Sequence, residues 1–126
     1  MTAITKILDG SRSAVFHISL SGNADLNDEV LIDPAVDFGM EPGPSLTVEQ
    51  IWYDLIGFDA RLEFDYLLSD TPIWTMSGGQ YAHVDFCHFG GLKDRSDMDG
   101  RGKIKITTSG LAIGDYGTII IKVRKD

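Results

Sequence analysis

Apolar and polar positions alternate with a repeat of two through much of this chain. In residues 58–66, Phe58, Ala60, Leu62, Phe64 and Tyr66 fall on one side, and Asp59, Arg61, Glu63 and Asp65 fall on the other. Successive side chains of an extended strand point to opposite faces, so the spacing predicts a half-buried strand. Residues 14–20 repeat it, with Phe16, Ile18 and Leu20 facing one way and His17 and Ser19 the other. Residues 103–108 put Ile104 and Ile106 inward and Lys103 and Lys105 outward. Residues 118–124 are rich in β-branched side chains and align Ile119, Ile121 and Val123. Shorter candidates are 3–8, 28–32, 72–76 and 80–86.

Turn chemistry separates these runs. Asp9-Gly10, Ser21-Gly22-Asn23, Ser77-Gly78-Gly79, Asp99-Gly100 and Gly114-Asp115 supply the positive-φ positions that chain reversals need. Short alternating runs at hairpin spacing predict a single all-β domain over 1–126. Its expected form is an antiparallel, jelly-roll-like β-sandwich of about eight strands. Residues 46–56 are ambiguous. Val48, Ile51, Trp52, Leu55 and Ile56 lie at helical spacings, Thr47 and Gln50 could form a capping box, and Gly57 could close a helix. The all-β context favours a strand turning at Gly57 into 58–66, and a short helix stays open. Residues 33–45 hold three of the four prolines and read as a long surface loop. Residues 87–102 mix glycine with charge and read as a second irregular stretch.

Charge changes the picture next. The chain of 126 residues has a formal net charge of −8, with 19 Asp+Glu against 11 Lys+Arg. Wrapping nucleic acid requires cations to neutralise phosphates, so no nucleic-acid partner is expected. No apolar run approaches the roughly 20 residues of a membrane helix, so no membrane partner is expected either. The opening MTAITKILDGSRS lacks the cationic-then-apolar order of a signal peptide. The single cysteine, Cys87, excludes an intramolecular disulfide and agrees with synthesis in a reducing cytoplasm. Six of the cations lie in residues 101–126 beside only two acids. Their alternation with apolar residues puts Lys103, Lys105, Lys122 and Arg124 on solvent-facing strand sides, as edge protection or as a basic face for a neighbouring copy.

Candidate chemistry is sparse. His83, Asp85 and Cys87 would share one strand face, a set of zinc-ligand types. Same-face neighbours on a strand sit roughly 6.5–7 Å apart, too linear to chelate without a bend. A solvent-facing polar row is therefore the expectation, with no metal and no cofactor. Asp94–Gly100 falls short of a calcium loop, because Arg95 occupies the first ligand position and Ile106 the closing one. Cys87 and His88 are neighbours and point to opposite faces, and His17 lies on a polar face, so no nucleophile–base pair forms. Glu63 and Asp65 share an exposed face where both stay ionised. No enzymatic activity is expected. Among the aromatics, Trp52, Tyr53 and Trp74 are candidates for the surface, where they would suit an assembly contact or a carbohydrate- or receptor-binding module.

The order of residues in IWYDLIGFDARLEFD (51–65), DTPIW (70–74), VDFCHFGGLKDRS (84–96), GRGKIKITTSG (100–110) and YGTIIIKVRKD (116–126) resembles small virion structural proteins of tailed bacteriophages. TKILDGSRSAVFHISLSG, near the start, is similar to the same group. The resemblance implies a capsid decoration (cement) protein, a small β-sandwich on the outer head surface, with a neck- or tail-associated structural protein as the alternative. It also implies no catalytic residues and no cofactor, partners among the major capsid protein or other virion proteins, and a homo-oligomer, often trimeric. The expected location is the capsid surface of the virion, after synthesis in the host cytoplasm. It favours the strand at 46–56. Within such a role the candidate assembly contacts are Lys93, Arg95 and Arg101 from the second irregular stretch, and Phe38 and Met40 from the first.

Overall fold

The computed structural model describes residues 2–39, 46–66, 71–79, 81–93 and 100–125. These form strands β1 (Thr2–Asp9), β2 (Ser13–Ser21), β3 (Glu29–Ile32), β4 (Leu46–Ile56), β5 (Asp59–Tyr66), β6 (Thr71–Met76), β7 (Tyr81–Asp85), β8 (Leu92–Lys93), β9 (Gly100–Ser109) and β10 (Tyr116–Lys125). A short helix α1 spans Pro34–Phe38 and a 3₁₀ turn spans Cys87–Phe89. Sheet A runs β1-β2-β10-β4-β7, with β8 also on β4, and sheet B runs β3-β9-β5-β6. Every pairing is antiparallel. The chain crosses between sheets after β2, β4, β6 and β9 at one end, and after β3 and β8 at the other. That is the predicted antiparallel, jelly-roll-like sandwich.

The period of two sets the core. Ile119, Ile121 and Val123 of β10 lie between Phe16 and Ile18 of β2 and Ile51, Tyr53 and Leu55 of β4, all buried. Ile104 and Ile106 of β9 and Leu62 and Phe64 of β5 supply the inner layer of sheet B. Each such side chain contributes roughly 1.5–3 kcal/mol through its removal from water. The cluster is continuous across both sheets.

Residues 46–56 form a strand, and its apparent helical spacing has a specific cause. Lys122 pairs with Gln50 and the next residue, Val123, pairs with Val48, so Glu49 is an extra residue in β4. Such a bulge lets the inward sequence step from Val48 to Ile51 by three before resuming alternation at Tyr53 and Leu55. The bulged residue is used: the Glu49 carbonyl accepts from the Phe86 N–H at 2.9 Å and fixes the chain leaving β7.

The surface loop expected over 33–45 is corrected in its first half, which folds as α1. Asp33 caps the helix by accepting from Ala35 N–H (3.1 Å), Pro34 starts it, and Gly39 closes it at φ +66°. Asp37 accepts from the Asp33 N–H (2.9 Å), which ties both ends of the turn together. Within 87–102, the described part is likewise ordered as the 3₁₀ turn, β8 and the start of β9.

The crossover end depends on close backbone packing. A Cβ on Gly57, which sits at φ +93°, would overlap the Asp115 carboxylate, and one on Gly78 would overlap the Phe58 carbonyl. Phe58 is thereby pressed into the end of the core. Asp25 ties the β2–β3 loop to the β9–β10 loop. Its carboxylate accepts from Leu111 N–H (2.8 Å), Gly110 N–H (3.2 Å) and the Thr108 hydroxyl (3.1 Å).

Candidate assembly surface

The outer face of sheet A is built by register. Thr5 pairs with His17, His17 with Ile120, Ile120 with Trp52, and Trp52 with His83, so these five side chains form one row across β1-β2-β10-β4-β7. The Trp52 and His83 rings are stacked, 4.6 Å between centroids and 1° between planes. His83 Nε2–H donates to Oε1 of Gln50 at 3.0 Å. Tyr81 on β7, Tyr116 on β10 and Ile56 on β4 add exposed apolar surface at the crossover end.

Charge on this face is one-sided. Neither β2 (SAVFHISLS) nor β10 (YGTIIIKVRK) contains an Asp or Glu, although the chain holds 19. The acids of sheet A outside β1 lie on β4 and β7, as Glu49, Asp54 and Asp85. On β1 the single acid, Asp9, is held by Lys125 (2.6 Å) and Lys6 (3.0 Å), whose cations keep its carboxyl below the ordinary range. The outer face of sheet B is instead a mosaic of ion pairs: Arg61–Glu63 (3.5 Å), Lys105–Asp65 (3.2 Å) and Lys103–Asp33 (3.9 Å).

Several sequence expectations are corrected here. The basic residues of the tail do not make one face. Lys103 and Lys105 lie on sheet B, and Lys122 and Arg124 lie on sheet A, on opposite sides of the sandwich. Glu63 is not exposed but 4% accessible, held by Arg61 and the Thr107 hydroxyl (3.2 Å). Tyr53 is a core residue at 8% exposure, whereas Trp74 is exposed at 37% while packing edge-on against Phe86 (5.6 Å). Of the three aromatics proposed for the surface, Trp74 is exposed, Trp52 is half-buried on the outer face of sheet A, and Tyr53 lies in the core.

Among the candidate contacts, Phe38 is half-buried against Phe16 (5.8 Å, edge-on) beneath the ammonium groups of Lys125 (4.4 Å) and Lys6 (5.3 Å). It plugs the end of the sandwich at which the chain crosses after β3 and β8. Lys93 falls on β8 and Arg101 on β9 at that same end, so the two irregular stretches converge there. Met40 and Arg95 lie outside the described residues, as does the Asp-rich turn 94–99.

The row of possible metal ligands is tied up in local bonds. Cys87 N–H donates to Asp85 (2.8 Å), the Cys87 thiol donates to the Glu49 carbonyl (3.8 Å), and the Gln50 amide donates to the sulfur (3.9 Å). The Asp85 carboxylate, followed by desolvation, pushes the thiol above its usual value, so it stays protonated and a poor nucleophile. No group of three His, Cys, Asp or Glu among the described residues is arranged to hold a metal ion. Two open depressions lie at the crossover end, about 480 Å³ beside Gly57 and Gly110 and about 570 Å³ beside Asn23 and Tyr116. No helix of the described residues is long and apolar enough to cross a membrane.

No protein-family model matches the chain, and no curated protein matches it. Among solved structures it is similar to a cupin superfamily protein from Desulfitobacterium hafniense DCB-2 (10% identity, TM-score 0.37, covering 99% of this chain and 77% of that one). It is also similar to a putative mannose-6-phosphate isomerase from Ralstonia eutropha JMP134 (14%, 0.39, 100% and 85%). A third is the polyketide cyclase RemF from Streptomyces resistomycificus (11%, 0.36, 98% and 64%). Similarity of this degree transfers neither residues nor activity. The expectation of no enzymatic activity is withdrawn: two of these similar structures carry enzyme names, a putative mannose-6-phosphate isomerase and a polyketide cyclase.

Proposed function

We propose that the chain is a structural protein of a tailed-phage virion, a capsid decoration protein seated on the head through the outer face of sheet A. The supporting observation is the lack of any carboxylate on β2 and β10, adjacent strands in a chain of charge −8. An acidic protein meets a protein shell with least repulsion where its own acids are absent, and like charges brought together there would cost several kcal/mol. The Trp52–Ile120–His17 row supplies flat apolar area, and aromatic side chains concentrate interface energy. Many copies on a shell act together, so each contact need be only modest.

Copy number tests this reading. Quantitative mass spectrometry of purified virions is expected to find hundreds of copies per particle. A handful of copies favours the neck or tail alternative, and none in the particle overturns the virion assignment. A carbohydrate- or receptor-binding role is the second reading, favoured by Tyr81, 73% exposed on the same face as His83 and Trp52. Quenching of Trp52 fluorescence by saccharides in solution supports that role against the first.

A further inference from the structure

We propose that β1 is a self-association edge, at which two copies of the chain pair antiparallel across a two-fold axis and join their A sheets. The four sheet edges are unequal. β3 has four residues and a bulge, β6 carries Pro72 and a bulge, and β7 has five residues. Short strands, proline and bulges are the ordinary means of blunting an edge. β1 has eight residues and no proline, and it pairs with β2 alone among the described strands. Its one irregularity is at Ile7, which leaves residues 2–6 as a regular edge.

Its side chains agree with a covered state. Every residue from Ala3 to Asp9 is exposed, including Ile4 (41%), Ile7 (57%) and Leu8 (54%). Three large aliphatic residues on one exposed edge strand are costly in a monomer, since each forgoes burial worth roughly 1.5–3 kcal/mol. Lysine normally guards such an edge. Here the Lys6 ammonium is drawn back onto its own chain, 2.8 Å from the Asp37 carbonyl and 3.0 Å from Asp9, so it does not stand over the edge.

The occupant follows from charge and symmetry. Residues 2–8 carry one charge, Lys6, and the neighbouring β2 carries no acid, so two copies of a −8 chain repel least along this line. A strand that pairs with its own copy about a two-fold axis does so antiparallel, and such a contact closes at two subunits. Joining β1 to β1 also sets the two β2–β10 surfaces side by side.

Sedimentation equilibrium of the full-length chain across a range of concentrations tests the pairing. A monomer–dimer equilibrium is expected, with a dimer of twice 13.8 kDa that strengthens as salt screens the net charge. The double variant Ile4→Lys, Ile7→Lys keeps its circular dichroism spectrum and weakens association at least about tenfold. In a Cys87→Ser background, single cysteines at positions 3, 4, 5 and 6 give disulfide-linked dimers with a sharp maximum at one position. A chain that is monomeric throughout, a dimer indifferent to the two lysines, a flat cross-linking profile, or a trimer or open-ended assembly each overturns the proposal.

Discussion

The imidazole of His83 lies parallel to the indole of Trp52, with 4.6 Å between ring centroids across the β4–β7 pairing. This contact holds β7, an edge strand of five residues, onto its neighbour β4 in sheet A. Stacked aromatic pairs contribute about 0.5–1.5 kcal/mol beyond burial. A double-mutant cycle with Trp52→Ala and His83→Ala, followed by urea unfolding, is expected to return a coupling energy of about 1 kcal/mol. Additive losses indicate that the rings do not stabilise one another.

The crossover end predicts a sharp steric response. Gly57→Ala forces a Cβ into the Asp115 carboxylate at a backbone conformation that L-residues avoid, and its cost is expected at roughly 1–3 kcal/mol or more. Gly79→Ala meets open space at a similar positive φ and serves as the control for strain without collision. Thermal unfolding of the two variants separates the effects: Gly57→Ala falls further.

Acid stability depends on Asp25. The Leu111 N–H, the Gly110 N–H and the Thr108 hydroxyl hold its carboxyl below the ordinary 3.8. A folded-state value below the unfolded one gives stability that is present above the ordinary value and lost as pH falls through the depressed one. Asp25→Ala is therefore expected to lower the urea midpoint at neutral pH. The gap from the parent protein narrows below about pH 4, where the unfolded carboxyl is already protonated. A gap that is constant with pH contradicts the assignment.

Core truncation sets the scale for these effects. Ile121, fully buried in the central strand β10, lies between Phe16 and Ile51. Ile121→Ala is expected to cost about 2–5 kcal/mol, against less than about 0.5 kcal/mol for Ser19→Ala on the outer face. Denaturant midpoints check the contrast.

The alternating strands were readable because burial follows the pleat: Phe16, Ile18 and Leu20, and Ile119, Ile121 and Val123, all face inward as their spacing requires. β4 was harder, since the extra residue Glu49 shifts the alternation and imitates a helical step. Trp52, grouped with Ile51 and Leu55 by that helical reading, instead stands on the opposite face. Helix α1 is too short for periodicity, and its signal lay in Asp33-Pro34 at the start and Gly39 at the end. Glu63 follows the pleat, yet Arg61 and Thr107 close over it, which no local pattern encodes. The acid-free surface was present in the residues of β2 and β10. It became a surface only when strands about a hundred positions apart proved to be neighbours.

The most direct test of that surface is the abundance in virions of a protein carrying Ser19→Glu and Lys122→Glu, two outward positions on β2 and β10. The predicted result is an unchanged circular dichroism spectrum and virions depleted of the variant at least about tenfold, a loss of about 1.4 kcal/mol in binding. Virions that carry the folded variant at the parent level contradict docking through this face.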